Sequence, residues 1–242
     1  MGEKIELKCA DGTFSGYLAK PANSAEGPGI IVIQEIFGVN KVVRDIADHL
    51  ADQGYHALAP DLFWRIEPGI DITDQSQAEW DKAFELFGKF NVDTGVADIQ
   101  VAIDALRAMP GTVTKKVGTV GYCLGGLLAY LSATRTDADA NVSYYGVNIA
   151  NLLGEAGKIS KPILLHVAAK DQFVPPDAQA KVAEALGPNP HATLLTYAGQ
   201  DHAFARPGGA HYHADAARSA NAATLAFFNA HLASTGTALG TS

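Results

Sequence analysis

Cysteine is scarce: Cys9 and Cys123 are the only two among 242 residues. Two thiols cannot build a disulfide framework, and neither belongs to a C-x-x-C pair, so a reducing compartment is the simpler reading. Positive charge is in the minority, with 18 Lys and Arg against 26 Asp and Glu and a formal net charge of −8. That balance argues against nucleic acid or an anionic membrane as the main partner, yet leaves room for a local basic site. No apolar run approaches the roughly 18 residues of a membrane span. The N-terminal stretch MGEKIELKCADG carries charges where a signal peptide needs its apolar region, and Glu6 breaks the myristoylation pattern. A P-loop and a G-x-G-x-x-G run are both missing, so no nucleotide cofactor is expected. Together these absences describe a soluble, cytoplasmic protein with no nucleic-acid partner, no membrane partner and no cofactor.

What is present is an alternation of strands and helices. KIELKCA and FSGYLAK, joined at Asp11-Gly12, predict an opening antiparallel hairpin. PGIIVIQEIFG is apolar and β-branched, too short for a helix, and NKVVRDIADHLADQG sets Val43, Ile46, Ala47 and Leu50 on one helical face. A helix around residues 76–88 is expected to place Trp80, Ala83, Phe84 and Phe87 on one face, and VADIQVAIDALRAM repeats the period at Ile99, Ala102, Ile103 and Leu106. Further strands are read in YHALAPDLF, KVGTVGY, NVSYYGV, KPILLHVAAK and ATLLTYAG, with helices from Leu124, in DAQAKVAEALG and near residues 215–232. Strands that are apolar throughout predict an α/β protein with a mostly parallel sheet covered on both faces. Residues 1–242 suit one domain, which can bury roughly 70–75% of the unfolded chain's surface without disulfide or metal. The end, STGTALGTS at 234–242, is expected to be mobile.

Gly121-Tyr122-Cys123-Leu124-Gly125 has the spacing of a nucleophile elbow, G-x-S-x-G, with sulfur in place of the hydroxyl oxygen. Glycines at both ends permit a tight turn from strand to helix. That turn aims the sulfur outward and sets it at the positive end of a helix dipole. An ordinary thiol is only a few per cent ionised at neutral pH, so further help is needed. Two later strand ends supply it: KPILLHVAAKDQFVP ends in Asp171, and ATLLTYAGQDHAFAR ends in His202. The order nucleophile, acid, histidine is that of the α/β-hydrolase constellation. His202 would act as general base and acid, while Asp171 fixes its tautomer. Singly, a cysteine in an apolar segment is commonly buried and inert, and Cys9 is expected to be so. The elbow and two matched strand ends favour a catalytic Cys123.

In these residues the chain resembles the dienelactone hydrolases, a cysteine-dependent branch of the α/β-hydrolases. The resemblance spans nearly the whole chain and rests on QEIFGVN, GYHALAPDLF, VGYCLGG, YYGV, DQFVP and HAFAR in that order. It implies an α/β-hydrolase fold, a monomer, and a small-molecule lactone or activated ester as substrate, opened to a maleylacetate-like acid. It also gives Glu35 a role that the residues alone do not: the glutamate beside the sulfur, which helps take its proton once substrate arrives. Backbone N–H groups of Leu124 and Ile36 would form the oxyanion hole. Arg206 would meet a substrate carboxylate, with Phe37, Trp80, Phe84 and Tyr145 around the substrate.

The pattern also departs from the family. Dienelactone hydrolases grip the substrate carboxylate with two arginines, but the second position falls on Trp80, and QSQAEWDKAFELF contains no arginine. A family tyrosine becomes Phe84, and a serine after the histidine becomes Ala203. A more apolar pocket, less selective for carboxylates, is therefore expected, with Arg65 as a candidate to compensate and Trp64 as a further lining residue. Thiolate is a good leaving group, so sulfur suits esters whose own leaving group departs easily, such as enol esters and unsaturated lactones. A broad esterase outside aromatic degradation, and a non-hydrolytic ligand-binding or redox-sensing relative, are the alternatives. His211-Tyr212-His213 lacks a nearby third ligand and is read as loop or helix surface rather than a metal site.

Overall fold

The structure is a computed structural model that describes residues 2–22, 26–112 and 114–233. Eight strands form one sheet in the order β1-β2-β4-β3-β5-β6-β7-β8. β1 (Glu3–Cys9) and β2 (Gly12–Ala19) form the opening hairpin, closed where Cys9 faces Gly12. β2 pairs antiparallel with β4 (His56–Pro60), which lies parallel to β3 (Gly29–Ile33). β5 (Val117–Tyr122), β6 (Ala140–Tyr144), β7 (Ile163–Ala168) and β8 (Ala192–Tyr197) continue in parallel. The mostly parallel sheet with an antiparallel hairpin is thus as the sequence predicts.

The central strands are apolar because both faces are covered. Ile30 to Ile33, Val117, Val142 and Ile163 have no appreciable exposure. Among the described residues, α1 (Lys41–Asp52), α3 (Val92–Ala108), α4 (Leu124–Arg135), α5 (Pro176–Leu186) and α6 (Ala214–Leu232) cover the sheet, and α2 (Gln77–Lys89) meets the loop after β3 through Trp80 and Phe37. α3 buries Ile99, Ala102, Ile103 and Leu106 completely, each large side chain contributing roughly 1.5–3 kcal/mol. α4 is buried continuously from Leu124 to Ala133, so its sequence is apolar on every side rather than striped. Among the described residues, no helix is long and apolar enough to cross a membrane.

Several local expectations need correction. On α2 the buried residues are Ala83 and Leu86, and Phe84 is 47% exposed, because Ala83 and Leu86 carry the helix's inward face while Phe84 stacks on Trp80. Residues Ile149–Lys158 form a kinked 3-10 segment that no periodicity announced, since Gly154 and Gly157 interrupt it. Cys9 is only partly buried and lies 3.9 Å from Nη2 of Arg65. His213, read as a loop or helix-surface residue, is exposed and caps α6 by accepting from the Ala216 N–H. The expected mobile end at 234–242 lies outside the described residues.

Candidate active site

The sheet reverses its winding between β3 and β5: β3 leads through α1 to β4 on one side, and β5 leads through α4 to β6 on the other. Such a switch point opens a crevice at the carboxyl ends of the strands. Cys123 follows β5 directly and caps α4, with φ 57° and ψ −114°, a strained conformation for a residue with a side chain. The turn holds because its neighbours are glycines. A Cβ on Gly121 would stand 1.9 Å from the carbonyl oxygen of Gly125, and one on Gly125 would stand 2.4 Å from that of Ile33. The first turn of α4 is thereby pressed against the end of β3, and Ile36, just beyond that end, lines the same cavity as Cys123. Gln34, fully buried, locks that corner by accepting from the Leu62 N–H at 3.0 Å.

The ends of β7 and β8 deliver the other two groups. Nδ1 of His202 lies 2.8 Å from Oδ2 of Asp171. The remaining oxygen of Asp171 accepts from the N–H groups of Phe173 and Val174, so the carboxylate is held from both sides. Asp201 ties the two loops together, its Oδ1 accepting from the N–H groups of His202 at 2.6 Å and Gln172 at 3.0 Å. The imidazole is held edge-on between Tyr145 and Phe173, at 5.0 and 4.8 Å between ring centres. Its Nε2 is buried and has no hydrogen-bond partner of good geometry. Burial disfavours imidazolium there, but the negative charge that Cys123 can carry and the contact with Asp171 outweigh it. The pKa of His202 is pushed up to about 10.

Cys123 and His202 face one cavity of about 120 Å³, walled by Ile36, Phe37, Trp80, Phe87 and Phe173. Phe37 meets Trp80 edge-on, and Phe84 stacks on Trp80 at the exposed rim. A wider cleft of about 420 Å³ between α1 and α6 has Tyr122 and Tyr144 in its wall but includes neither Cys123 nor His202. Leu124 opens α4, so its N–H has no partner within the helix. Ile36 lies in the turn that leaves β3, on the cavity wall.

Arg206 returns to the site through a tight turn in which Ala203 adopts φ 62° and the Arg206 N–H donates to the Ala203 carbonyl. Arg206 lines the cavity, with its side chain 9% exposed. Nη1 lies 3.0 Å from Oε2 of Glu35, Nη2 lies 2.7 Å from Oδ2 of Asp74, and the guanidinium stacks over Phe37. Burial works against that charge, but Glu35 outweighs it and raises the pKa. Glu35 is 5% exposed, its Oε1 without a partner.

Other side chains stand elsewhere. Tyr145 packs beneath His202 rather than on the cavity wall, and its buried hydroxyl has no partner. Burial, reinforced by the charge of Glu35, raises its pKa well above the ordinary phenol value. Trp64 stacks on Phe14, outside the cavity. Arg65 is bound to Asp98 and Asp11 and lies over Trp64, so it does not compensate for a missing arginine. Sequence inspection missed Asp74 and Asp201. Asp201, immediately before the histidine at a strand exit, carried a usable signal; Asp74 carried none, since only the fold brings it to Arg206.

Comparison with known proteins places this geometry among relatives. The model of the dienelactone hydrolase family matches residues 14–232. The carboxymethylenebutenolidase of Pseudomonas putida is 38% identical over 226 residues, covering 93% of this chain and 95% of that protein. A protein of Azospirillum brasilense with the provisional name carboxymethylenebutenolidase is 50% identical over 222 residues, or 92% and 95% of the two chains. A solved structure from Klebsiella pneumoniae, provisionally named a dienelactone hydrolase, superposes with a TM-score of 0.84 at 27% identity, over 94% of this chain and 98% of that one.

Proposed function

The chain belongs to the dienelactone hydrolase family, hydrolases of esters and lactones, and from that premise we propose that Cys123 carries the acyl group as a thioester. The carrying observation is the 2.8 Å contact of Asp171 with Nδ1 of His202, which leaves Nε2 without a partner on a residue that lines the same cavity as Cys123. The sulfur attacks the acyl carbon as its proton passes to Nε2. The oxyanion so formed is met by the N–H groups of Leu124 and Ile36; one such donor typically lowers the barrier by about 2.7–4 kcal/mol. The carbon–oxygen bond to the leaving group breaks, and the imidazolium protonates the departing oxygen. Water then attacks the thioester, giving its proton to His202, and the thiol is restored with release of the acid.

Glu35 is the second base. In the empty site its carboxylate is engaged by Arg206, and its free Oε1 is the atom that can relay the thiol proton on its way to Nε2 of His202 when a substrate disturbs that pair. Such gating keeps a soft nucleophile from oxidants until needed. Enol esters and unsaturated lactones suit sulfur because their leaving group departs easily, as thiolate does. Hydrolysis of p-nitrophenyl acetate that iodoacetamide abolishes is the expected result. Hydrolysis that survives complete alkylation of Cys123 would contradict the assignment.

A further inference from the structure

We propose that Asp74 occupies the seat on Arg206 that a substrate carboxylate would need, so that this site takes uncharged, flat apolar esters and lactones. The proposal rests on the assignment of the cavity at Cys123 as the acyl-transfer site. Among the described residues that line the cavity, Arg206 is, apart from His202, the one cation. It is already met by two carboxylates, Glu35 on Nη1 and Asp74 on Nη2, and all three side chains are at least nine-tenths buried. Two negative charges on one guanidinium leave the cluster with net negative charge. A third carboxylate would enter against like charge rather than toward a free cation.

Asp74 is fixed in that place. Its carbonyl accepts from Nε1 of Trp80 at 3.0 Å, and its Oδ1 accepts from Gln75. Thr73 and Ser76 on either side are bound to Glu79, which pins the segment to the start of α2. Trp80 thus holds the segment that presents the carboxylate to Arg206, while its ring forms part of the apolar wall. The residue standing where the family pattern has a second arginine both removes a cation and anchors an anion. Displacing Asp74 would strand a buried carboxylate with only Gln75 for a partner, a heavily disfavoured arrangement. The rest of the wall, from Phe37 and Phe87 to Val147 and Phe173, suits flat apolar groups.

Para-acetoxybenzamide and para-acetoxybenzoate, two flat aryl acetates that differ by one charge, separate the possibilities. The wild-type enzyme is expected to prefer the amide by at least about tenfold in kcat/KM, the scale of one charge-assisted contact. Asp74→Asn is expected to narrow that ratio by a similar factor, chiefly through KM for the anion. Equal rates, a preference for the anion in wild type, or a ratio unmoved in the variant would overturn the proposal. If the variant does not fold, the wild-type ratio still decides. Calorimetric binding of benzamide and benzoate needs no turnover: tighter benzamide binding supports the proposal, and tighter or equal benzoate binding contradicts it. Should neither ester be hydrolysed, the thioester assignment fails while these binding results still judge the role of Asp74.

Discussion

Oε2 of Glu35 lies 3.0 Å from Nη1 of Arg206, while Oε1 of the same carboxylate is buried with no hydrogen-bond partner. A base held by a cation in the empty site contributes little to the reactivity of the resting thiol. It becomes useful when substrate loosens the pair. Glu35→Gln should therefore slow ester turnover by at least about tenfold, the effect of losing one general base at the low end, and slow alkylation by iodoacetamide much less. Paired rate measurements check this, and equal losses in both would contradict substrate-triggered activation.

His202 offers a spectroscopic test. Burial alone would lower its pKa, and the value of about 10 depends on the charge of Cys123 as its largest favourable cause. In Cys123→Ala the imidazole should titrate at clearly lower pH, because only Asp171 then supports the cation. Following the His202 ring resonances against pH gives both values. An unchanged titration in the variant would mean that the sulfur and the imidazole are not coupled.

His166 governs acid stability rather than chemistry. It is 1% exposed, with Nδ1 at 2.9 Å from the Tyr197 hydroxyl and Nε2 at 2.9 Å from that of Thr224. Burial pushes its pKa down to about 3. An unfolded histidine binds a proton below roughly 6.5, so between about pH 6.5 and 3 the unfolded chain holds a proton that the folded one does not. The stability from this group is complete above the unfolded pKa and falls with acidification, by at most about 1.4 kcal/mol per pH unit. Urea unfolding at about pH 7 and 5 should show a smaller difference for His166→Gln than for wild type. The same difference in both would assign the acid sensitivity to other groups.

Gly121→Ala tests the elbow. Its Cβ would stand 1.9 Å from the Gly125 carbonyl oxygen, a backbone atom that cannot swing aside. A loss of about 2–4 kcal/mol is expected, along with most activity, because relief of the clash moves Cys123. A melting temperature and rate equal to wild type would show that the turn accepts a side chain at position 121.

Much of this was legible in sequence because it is local or repeated. Strand–helix alternation announces the sheet, and Gly121, Cys123 and Gly125 announce the elbow. Asp171 and His202 were found because each ends an apolar strand, and such ends collect at one edge of a parallel sheet. What the sequence hid depends on distant contacts. Arg206 meets Asp74 across 132 positions in the chain, and no period or motif reports such a pairing. Arg65 looked available until the fold set it against Asp98. Phe84 looked buried by its spacing, yet α2 uses Ala83 and Leu86 for contact, so it stays at the rim.

The most direct test of the account is the peptide mass spectrum of enzyme quenched in acid during turnover of p-nitrophenyl acetate. One acetyl group on the peptide that contains Cys123, absent from the same peptide of Cys123→Ala, is the result expected. Turnover at the wild-type rate with that peptide unmodified, or an acetyl group accumulating on another side chain, would contradict it.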